Sequence, residues 1–283
     1  MNVISTYKNG NYTVMVGEDC SVVRMKKDTE YNPNTPEYIE LKITSRCDKC
    51  CPWCYENTST DGIHGDVIYD KAIDSFTVGT IVCITGGDIM KHPYLGELLA
   101  KLKHKGAIVS LSLSQQSFMD NIAAIKLLCE LKYVNKLDVS VEIVTSEFLS
   151  SVKSFNYVSL SIVAGITPRT SIKAMFNYGV NLHIRGYKDM RRGKIYHTGD
   201  TGVLIDARIQ WLKDNIDSIR SNFASVSFDD LACEQLGIDR KIPDSKFSLY
   251  IDCVKKRYAK SSDSSDKHIY SDETVENMFK ALN

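Results

Sequence analysis

The chain has 283 residues, 43% of them hydrophobic and 25% charged, and its 35 Lys and Arg balance 35 Asp and Glu to a formal net charge of zero. This is a globular composition, long enough for one large domain or two ordinary ones. It argues against a broad polyanion-binding surface, hence against a duplex nucleic acid partner, and no apolar run approaches the ~18 residues of a membrane span.

In chain order, "NVISTYKNGNYTVMV" sets Asn9 and Gly10 between two strand-like runs, a hairpin signal. "SVVRMKK" adds a third strand, and the prolines and asparagines of "YNPNTP" at 31–36 end this β-rich preface. "YIELKIT" is a strand that runs straight into a cysteine cluster. "YDKAIDSF" reads as a helix, and "IVCIT" at 81–85 as a strand buried on both faces. "YLGELLAKLKHKG" is an amphipathic helix closed by glycine. Then follow the strand "AIVSLSLS", the helix "NIAAIKLLCELKYV", and the strands "LDVSVEIV", "YVSLSIVAG" and "VNLHIRG". "TSEFLSSVKSF" and the Pro168-started helix "TPRTSIKAMFNYG" separate these last strands. Strands alternating with helices at this spacing predict βαβ units and a parallel sheet of about six strands over 38–186.

The tail differs. "VLIDARIQWLKDNIDSIRSNF" predicts one long amphipathic helix. "SVSFDDLACEQLG" and a strand–turn–strand, "FSLYIDCVKKRYAKSS", follow. "SSDSSDKH" reads as a mobile loop, and "SDETVENMFKALN" as a helix N-capped by Ser271. The expected units are a β-rich extension over 1–36, an α/β core over 37–200 and a C-terminal helix and strand segment over 201–283. The N-terminus lacks a signal-peptide layout, so a cytoplasmic location with reduced thiols is expected. There, clustered cysteines bind metal or act in catalysis rather than form disulfides.

"CDKCCPWC" at 47–54 holds four of the nine cysteines. It parses as two abutting CxxC pairs, or as Cx3Cx2C using Cys47, Cys51 and Cys54. The first would make a zinc-stapled binding module with four cysteine ligands, but zinc ligands usually come from two separated knuckles. Abutting pairs would have to wrap one ion from a single short loop. The second offers three thiolates to a [4Fe-4S] cluster that ordinarily takes four, leaving one iron open.

Read as Cys47, Cys51 and Cys54, with the aromatic Trp53 before the last cysteine, the loop resembles that of the radical S-adenosylmethionine (SAM) superfamily. "ITGGDIMKHP", one strand later, is similar to that family's Gly-Gly-Glu segment through Gly86 and Gly87, with Asp88 in place of the usual Glu. The resemblance covers roughly residues 37–200. It implies a partial (β/α)6 TIM-like barrel with the C-terminal α+β segment closing its open side. It also implies a [4Fe-4S] cluster, SAM chelated at the open iron, and a 5'-deoxyadenosyl radical that abstracts hydrogen from substrate. An external one-electron reductant such as flavodoxin or ferredoxin would supply the electron. Cys50 has no counterpart in the pattern. Trp53, Gly86, Gly87 and Asp88 are implied on the cofactor side, and Ser140 and Glu142, on one face of their strand by its period of two, against the SAM ribose.

Gln115, Arg185, Tyr187 and Lys188 follow strand ends that would share one mouth, and are the candidate substrate residues. Arginine suits a carboxylate or phosphate, and Tyr187 would stack on a base or ring. Cys253, and less so Cys233, is a candidate hydrogen-atom donor near a radical. The expected substrate is a small molecule or nucleotide. The alternatives are a peptide or protein, including a glycyl-radical partner.

Overall fold

A computed structural model describes residues 2–26, 30–240 and 242–283; Met1 and Lys27, which fall within the predicted preface, lie outside the described residues. Strands β1 (Val3–Asn9), β2 (Tyr12–Gly17) and β3 (Val22–Lys26) form an antiparallel meander. Gly10 turns the hairpin at φ +58°, where an added Cβ would lie 1.7 Å from Asn32 O, so no other residue fits. Tyr12, Val14 and Val16 pack on Ile81, Ile108 and Phe247. The meander therefore covers the end of the main sheet where its strands begin. Arg24 Nε donates to Glu37 at 2.7 Å, and Tyr12 also bonds that carboxylate.

The six predicted parallel strands are present. They are β4 (Tyr38–Thr44), β5 (Ile81–Gly86), β6 (Ile108–Ser114), β7 (Lys136–Ser140), β8 (Val158–Val163) and β9 (Asn181–Arg185). Between them run α1 (Lys71–Asp74), α2 (Leu95–His104), α3 (Gln115–Asp120), α4 (Ile122–Glu130), α5 (Ser146–Lys153) and α6 (Arg169–Ala174). After β9 come α7 (Arg192–Tyr196), α8 (Gly199–Asp214), α9 (Ile216–Asn222), β10 (Ser225–Phe228), α10 (Asp230–Leu236), β11 (Ser248–Asp252), β12 (Arg257–Ala259), β13 (His268–Ile269) and α11 (Val275–Leu282).

The C-terminal segment corrects the expected architecture. It enlarges the sheet instead of lying across its open side: β10 pairs parallel with β9, and β11 parallel with β4. The result is a ten-stranded sheet in the order β10-β9-β8-β7-β6-β5-β4-β11-β12-β13, open at both edges.

One face of the sheet is apolar. Ile39, Leu41, Val82, Ile84, Leu111, Val139 and Leu160 pack under Leu98, Leu99 and Leu102 of α2, Phe148 and Leu149 of α5, and Met278 and Phe279 of α11. Each such side chain contributes about 1.5–3 kcal/mol by leaving water. The alternate positions carry Glu40, Lys42, Cys83, Ser110, Ser112, Asp138, Ser140, Ser161, His183 and Arg185. On that polar face Arg185 of β9 donates to Asp138 of β7 at 2.6 Å and to Ser112 of β6 at 3.0 Å. In a flat sheet β9 and β6 would stand about 14 Å apart, beyond an arginine's reach. The sheet is therefore curled, with its polar face inside.

Three local expectations are also revised. The long helix after residue 200 is two, α8 and α9, because Asn215 turns its side chain back onto Trp211 O at 2.8 Å. Thr274, not Ser271, caps α11, accepting from Asn277 N. The serine-rich loop is pinned: Ser262 is 1% exposed and accepts a hydrogen bond from Lys188 Nζ at 2.6 Å. Among the described residues no helix is long and apolar enough to cross a membrane.

Candidate functional site

The cysteine loop leaves β4 at Thr44 and is folded back on itself by backbone bonds. Cys47 N donates to Ser59 O at 2.8 Å, Ser59 N to Ser45 O at 3.1 Å, and Cys54 N to Cys51 O at 3.1 Å. Cys50 is exposed at φ +45°, its thiol turned toward Cys47 O at 3.6 Å. Cys51 is half-buried. Burial pushes its thiol up, opposed by Lys49 and reinforced by the neighbouring Cys54 and Cys47. Burial works the same way on Cys54, but Thr58 and the Arg192 side chain outweigh it and hold that thiol below the ordinary range. Thr58 Oγ1 lies 3.4 Å from Cys54 Sγ. Thus Cys47, Cys51 and Cys54 share one electrostatic neighbourhood, and Cys50 is the exposed cysteine of the loop. Among the described residues no group of three or more His, Cys, Asp or Glu side chains, those of this loop included, converges on a single ion.

The GGD segment at the end of β5 is bonded to this loop. Gly87 N donates to Thr44 O at 2.9 Å and Asp88 N to Arg46 O at 2.8 Å. A Cβ on Gly86, at φ +128°, would meet Thr44 O at 2.3 Å, and one on Gly87 would meet Arg46 O at 2.0 Å. Both glycines are thus required by the approach of the cysteine loop's backbone. Asp88 accepts from Ser117 Oγ at 2.7 Å, and Lys91 stands 3.7 Å from its other oxygen. A cavity of about 280 Å³ joins Cys47, Lys49, Gly87, Asp88, Ser112 and Ser114, near the lower end for small-ligand pockets, about 300 Å³.

Ser140, Glu142, Gln115 and Trp53 are not among the residues lining this cavity. Ser140 ends β7, its hydroxyl 3.3 Å from Ser161 Oγ. Glu142 lies beyond the strand, exposed, and pairs with Lys49 of the cysteine loop. The Gln115 amide meets backbone, accepting from Glu142 N at 2.8 Å and Ile143 N at 3.0 Å and donating to Ile143 O at 2.6 Å. It ties α3 to the β7 loop. Trp53 packs on Tyr196 of α7, ring centroids 5.8 Å apart.

Arg185 sits inside the curl, paired with Asp138. Burial works to raise the Asp138 carboxyl, but Arg185 outweighs it and leaves it below the usual range. Lys188 stands 4.1 Å from the centroid of the Tyr55 ring. Burial would lower its ammonium, yet Tyr55 and Glu40 push it up. Tyr187 is corrected as a stacking platform: it is 3% exposed and its hydroxyl donates to Gly193 O at 2.7 Å. Cys253 is corrected as a hydrogen-atom donor, because it lies in the apolar core beside Gly65, 1% exposed, with its thiol pushed up by burial. Cys233 is in the same core.

Sequence reasoning missed a buried ionic group just past the last cysteine. Lys42, 1% exposed, pairs with Glu56 and stands 3.3 Å from Asp252. Tyr250 donates to Glu56 at 3.1 Å. The available signal was a lysine inside the first strand of a parallel sheet, whose two faces are both covered and which therefore demands a buried partner.

No protein-family model matches the sequence, and no curated protein matches it. Solved structures of SuiB from Streptococcus suis do resemble the fold. The SAM-bound structure aligns at TM-score 0.61 over 95% of this chain and 85% of that one, with 9% identity. A second SuiB structure gives 0.54 over 93% and 83%, with 10% identity. The structure bound to the precursor peptide SuiA gives 0.56 over 82% of this chain, with 14% identity, and this chain spans 60% of that one. The open, mostly parallel sheet, with a Cx3Cx2C loop leaving its strand β4 and a GGD segment ending β5, thus shares its fold with SuiB.

Proposed function

We propose that this chain is a radical SAM enzyme that modifies a peptide. The carrying observation is that Cys47, neighbour to Cys51 and Cys54, shares a cavity with Gly87 and Asp88, whose backbone N–H groups donate to Thr44 O and Arg46 O at the start of the cysteine loop. The donor set fits a [4Fe-4S] cluster in kind: three half-buried cysteines in one electrostatic neighbourhood, the Cys54 thiol held below its ordinary range, beside a fourth that is exposed. Cys47, Cys51 and Cys54 would hold three irons, leaving the fourth to SAM. When bound, the cluster and SAM supply a 5'-deoxyadenosyl radical that takes a hydrogen atom from the substrate. Asp88, fixed by Ser117, offers a carboxylate to an ammonium in the adjoining cavity. Lys49, held by Glu142, places a positive charge on the same cavity for a carboxylate. Gln115 keeps the β7 loop against α3, so that Glu142 stays in reach of Lys49.

A peptide is favoured over a small molecule or nucleotide on two grounds. SuiB, which shares the fold, was solved with a precursor peptide bound. Tyr187 and Arg185, the residues that suggested a ring or an anion, are already satisfied within the protein. A low-potential donor such as flavodoxin or ferredoxin supplies the electron. The test is deuterium transfer: candidate precursor peptides, deuterated residue by residue, are incubated anaerobically with reduced enzyme and SAM. One peptide should pass deuterium into 5'-deoxyadenosine. Transfer only from a deuterated metabolite would overturn the peptide assignment.

A further inference from the structure

A second cavity lies apart from the one at Cys47. It measures about 420 Å³, within the range of small-ligand pockets, about 300–1,000 Å³. One wall is the turn after the cysteine loop, with His64, Asp66 and Tyr69. The other is the turn that leads into α2, with Pro93 and Tyr94.

The walls are fixed to the sheet and to each other. Gly65 N donates to Ile43 O at 2.8 Å and Ser45 N to Ile63 O at 2.9 Å, which ties the first wall to the end of β4. His92, 4% exposed, joins the two walls. Its Nδ1 accepts from Tyr94 N at 3.2 Å, which leaves the proton on Nε2, 3.2 Å from Gly65 O. The recess is therefore formed before any ligand arrives.

Three of its lining groups are left open. Tyr69 is 83% exposed and Tyr94 52%, although aromatic rings carry a large gain on burial. Asp66 Oδ1 accepts from Ile68 N at 3.1 Å and from Tyr69 N at 3.0 Å, which sets Tyr69 on the rim. The second carboxylate oxygen has no protein donor, and Asp66 no ion-pair partner, among the described residues. No lysine or arginine lines the cavity.

Exposed tyrosine rings beside an unpaired carboxylate favour a cation. The rings attract it through their faces, and the carboxylate adds a charge-assisted hydrogen bond. An anion would meet the Asp66 charge, and a purely apolar group would strip that charge of water without replacing it. The stretch Ile89–Lys91 parts the two cavities: Ile89 and Lys91 line the first, Pro93 and Tyr94 the second. Consecutive Cα atoms are about 3.8 Å apart, so Ile89 and Pro93 stand no more than about 15 Å from each other. A peptide lying beside the first cavity thus reaches the second within about five extended residues.

We infer that this recess is a second subsite for the peptide substrate and takes the side chain of a lysine or arginine in it. The inference rests on the peptide reading above.

The test is equilibrium dialysis of four acetylated and amidated heptapeptides, Gly-Ala-Ala-X-Ala-Ala-Gly. X is arginine, lysine, phenylalanine or citrulline, the neutral isostere of arginine. They are measured against native protein, Asp66→Asn and Tyr69→Ala, with thermal melts of all three. Asp66→Asn keeps an oxygen for the two turn bonds, and Tyr69→Ala removes an exposed ring, so both variants should melt as native protein does. Native protein should bind the better cationic peptide about tenfold more tightly than the citrulline peptide. Asp66→Asn should lose most of that preference, and Tyr69→Ala about two- to fivefold of the affinity. The inference is overturned by equal binding of the cationic and citrulline peptides, by tightest binding of the phenylalanine peptide, or by no binding at all. A cationic preference that either variant keeps in full also overturns it. Such a failure leaves the peptide reading standing where a deuterated peptide labels 5'-deoxyadenosine. Transfer from a metabolite alone removes the peptide reading, and with it the role assigned to the recess.

Discussion

Cys50 and Cys51 are adjacent in the chain and opposite in setting. Cys50 is exposed, its thiol on the Cys47 carbonyl, whereas Cys51 is half-buried and feels both Cys47 and Cys54. Cys51→Ala should abolish 5'-deoxyadenosine release from SAM, and Cys50→Ala should leave most of it. Equal loss in the two variants, by chromatography of the quenched reaction, would break the Cx3Cx2C assignment. The three cysteines were legible because thiols at this spacing are scarce and meaningful. Lys42, Glu56 and Asp252 were not read as a group: a lysine inside a parallel strand signals a buried partner, but the sequence does not say that Glu56 and Asp252 supply it. Only the curl of the sheet makes that side an interior. Tyr187 and Cys253 misled in the reverse sense: proximity in sequence to a strand end does not say which face a side chain takes, and Cys253 falls on the helix-covered one.

At the scale of elements, β5 and the cysteine loop are close enough that glycine is the only residue that fits between them. In Gly87→Ala the new Cβ would sit 2.0 Å from Arg46 O, so backbone must move. We expect a loss of about 1–3 kcal/mol, with lower iron incorporation. Gly96→Ala is the matched control. It lies within α2 with nothing within 4 Å of a new Cβ, and should gain up to about 1 kcal/mol from helix propensity. Thermal melts of the two variants should move in opposite directions, and a parallel shift would refute the packing account. β4 and β11 are joined on their polar faces by Lys42, Glu56 and Asp252. Lys42→Met would leave two buried carboxylates without their cation, at a cost of about 3–5 kcal/mol. Urea midpoints measure this, and an unchanged midpoint would mean that water already solvates the group. The strand–helix alternation of 38–186 was legible from hydrophobic periodicity. Strands β10 and β11 were not assigned to the sheet, since their pairing with β9 and β4 depends on contacts distant in sequence.

The molecule as a whole is a curled sheet whose two sides meet at the rim. Lys188 and Arg191, after β9, reach Ser262 and the Tyr55 carbonyl, and Arg185 crosses the interior to Asp138. Asp138 carries a pH signature. Its folded pKa lies below the ordinary value, so its contribution is present above about pH 3.9, the unfolded pKa, and is lost as pH falls through the lower folded value. In cluster-free protein, native should therefore melt higher than Asp138→Asn near neutrality, and the gap should narrow in acid. A gap that stays constant or widens in acid would exclude the Asp138–Arg185 pair as a support of the curl. The curl itself was hidden in the sequence, because alternation marks two faces of a strand without saying that one of them encloses a lumen. The most direct test of the central claim is metal and sulfide analysis of protein reconstituted without oxygen, followed by reduction with SAM present. The account predicts about four irons and as many labile sulfides per chain, and 5'-deoxyadenosine formed only with reductant. About one zinc per chain, no labile sulfide and no SAM cleavage would contradict it.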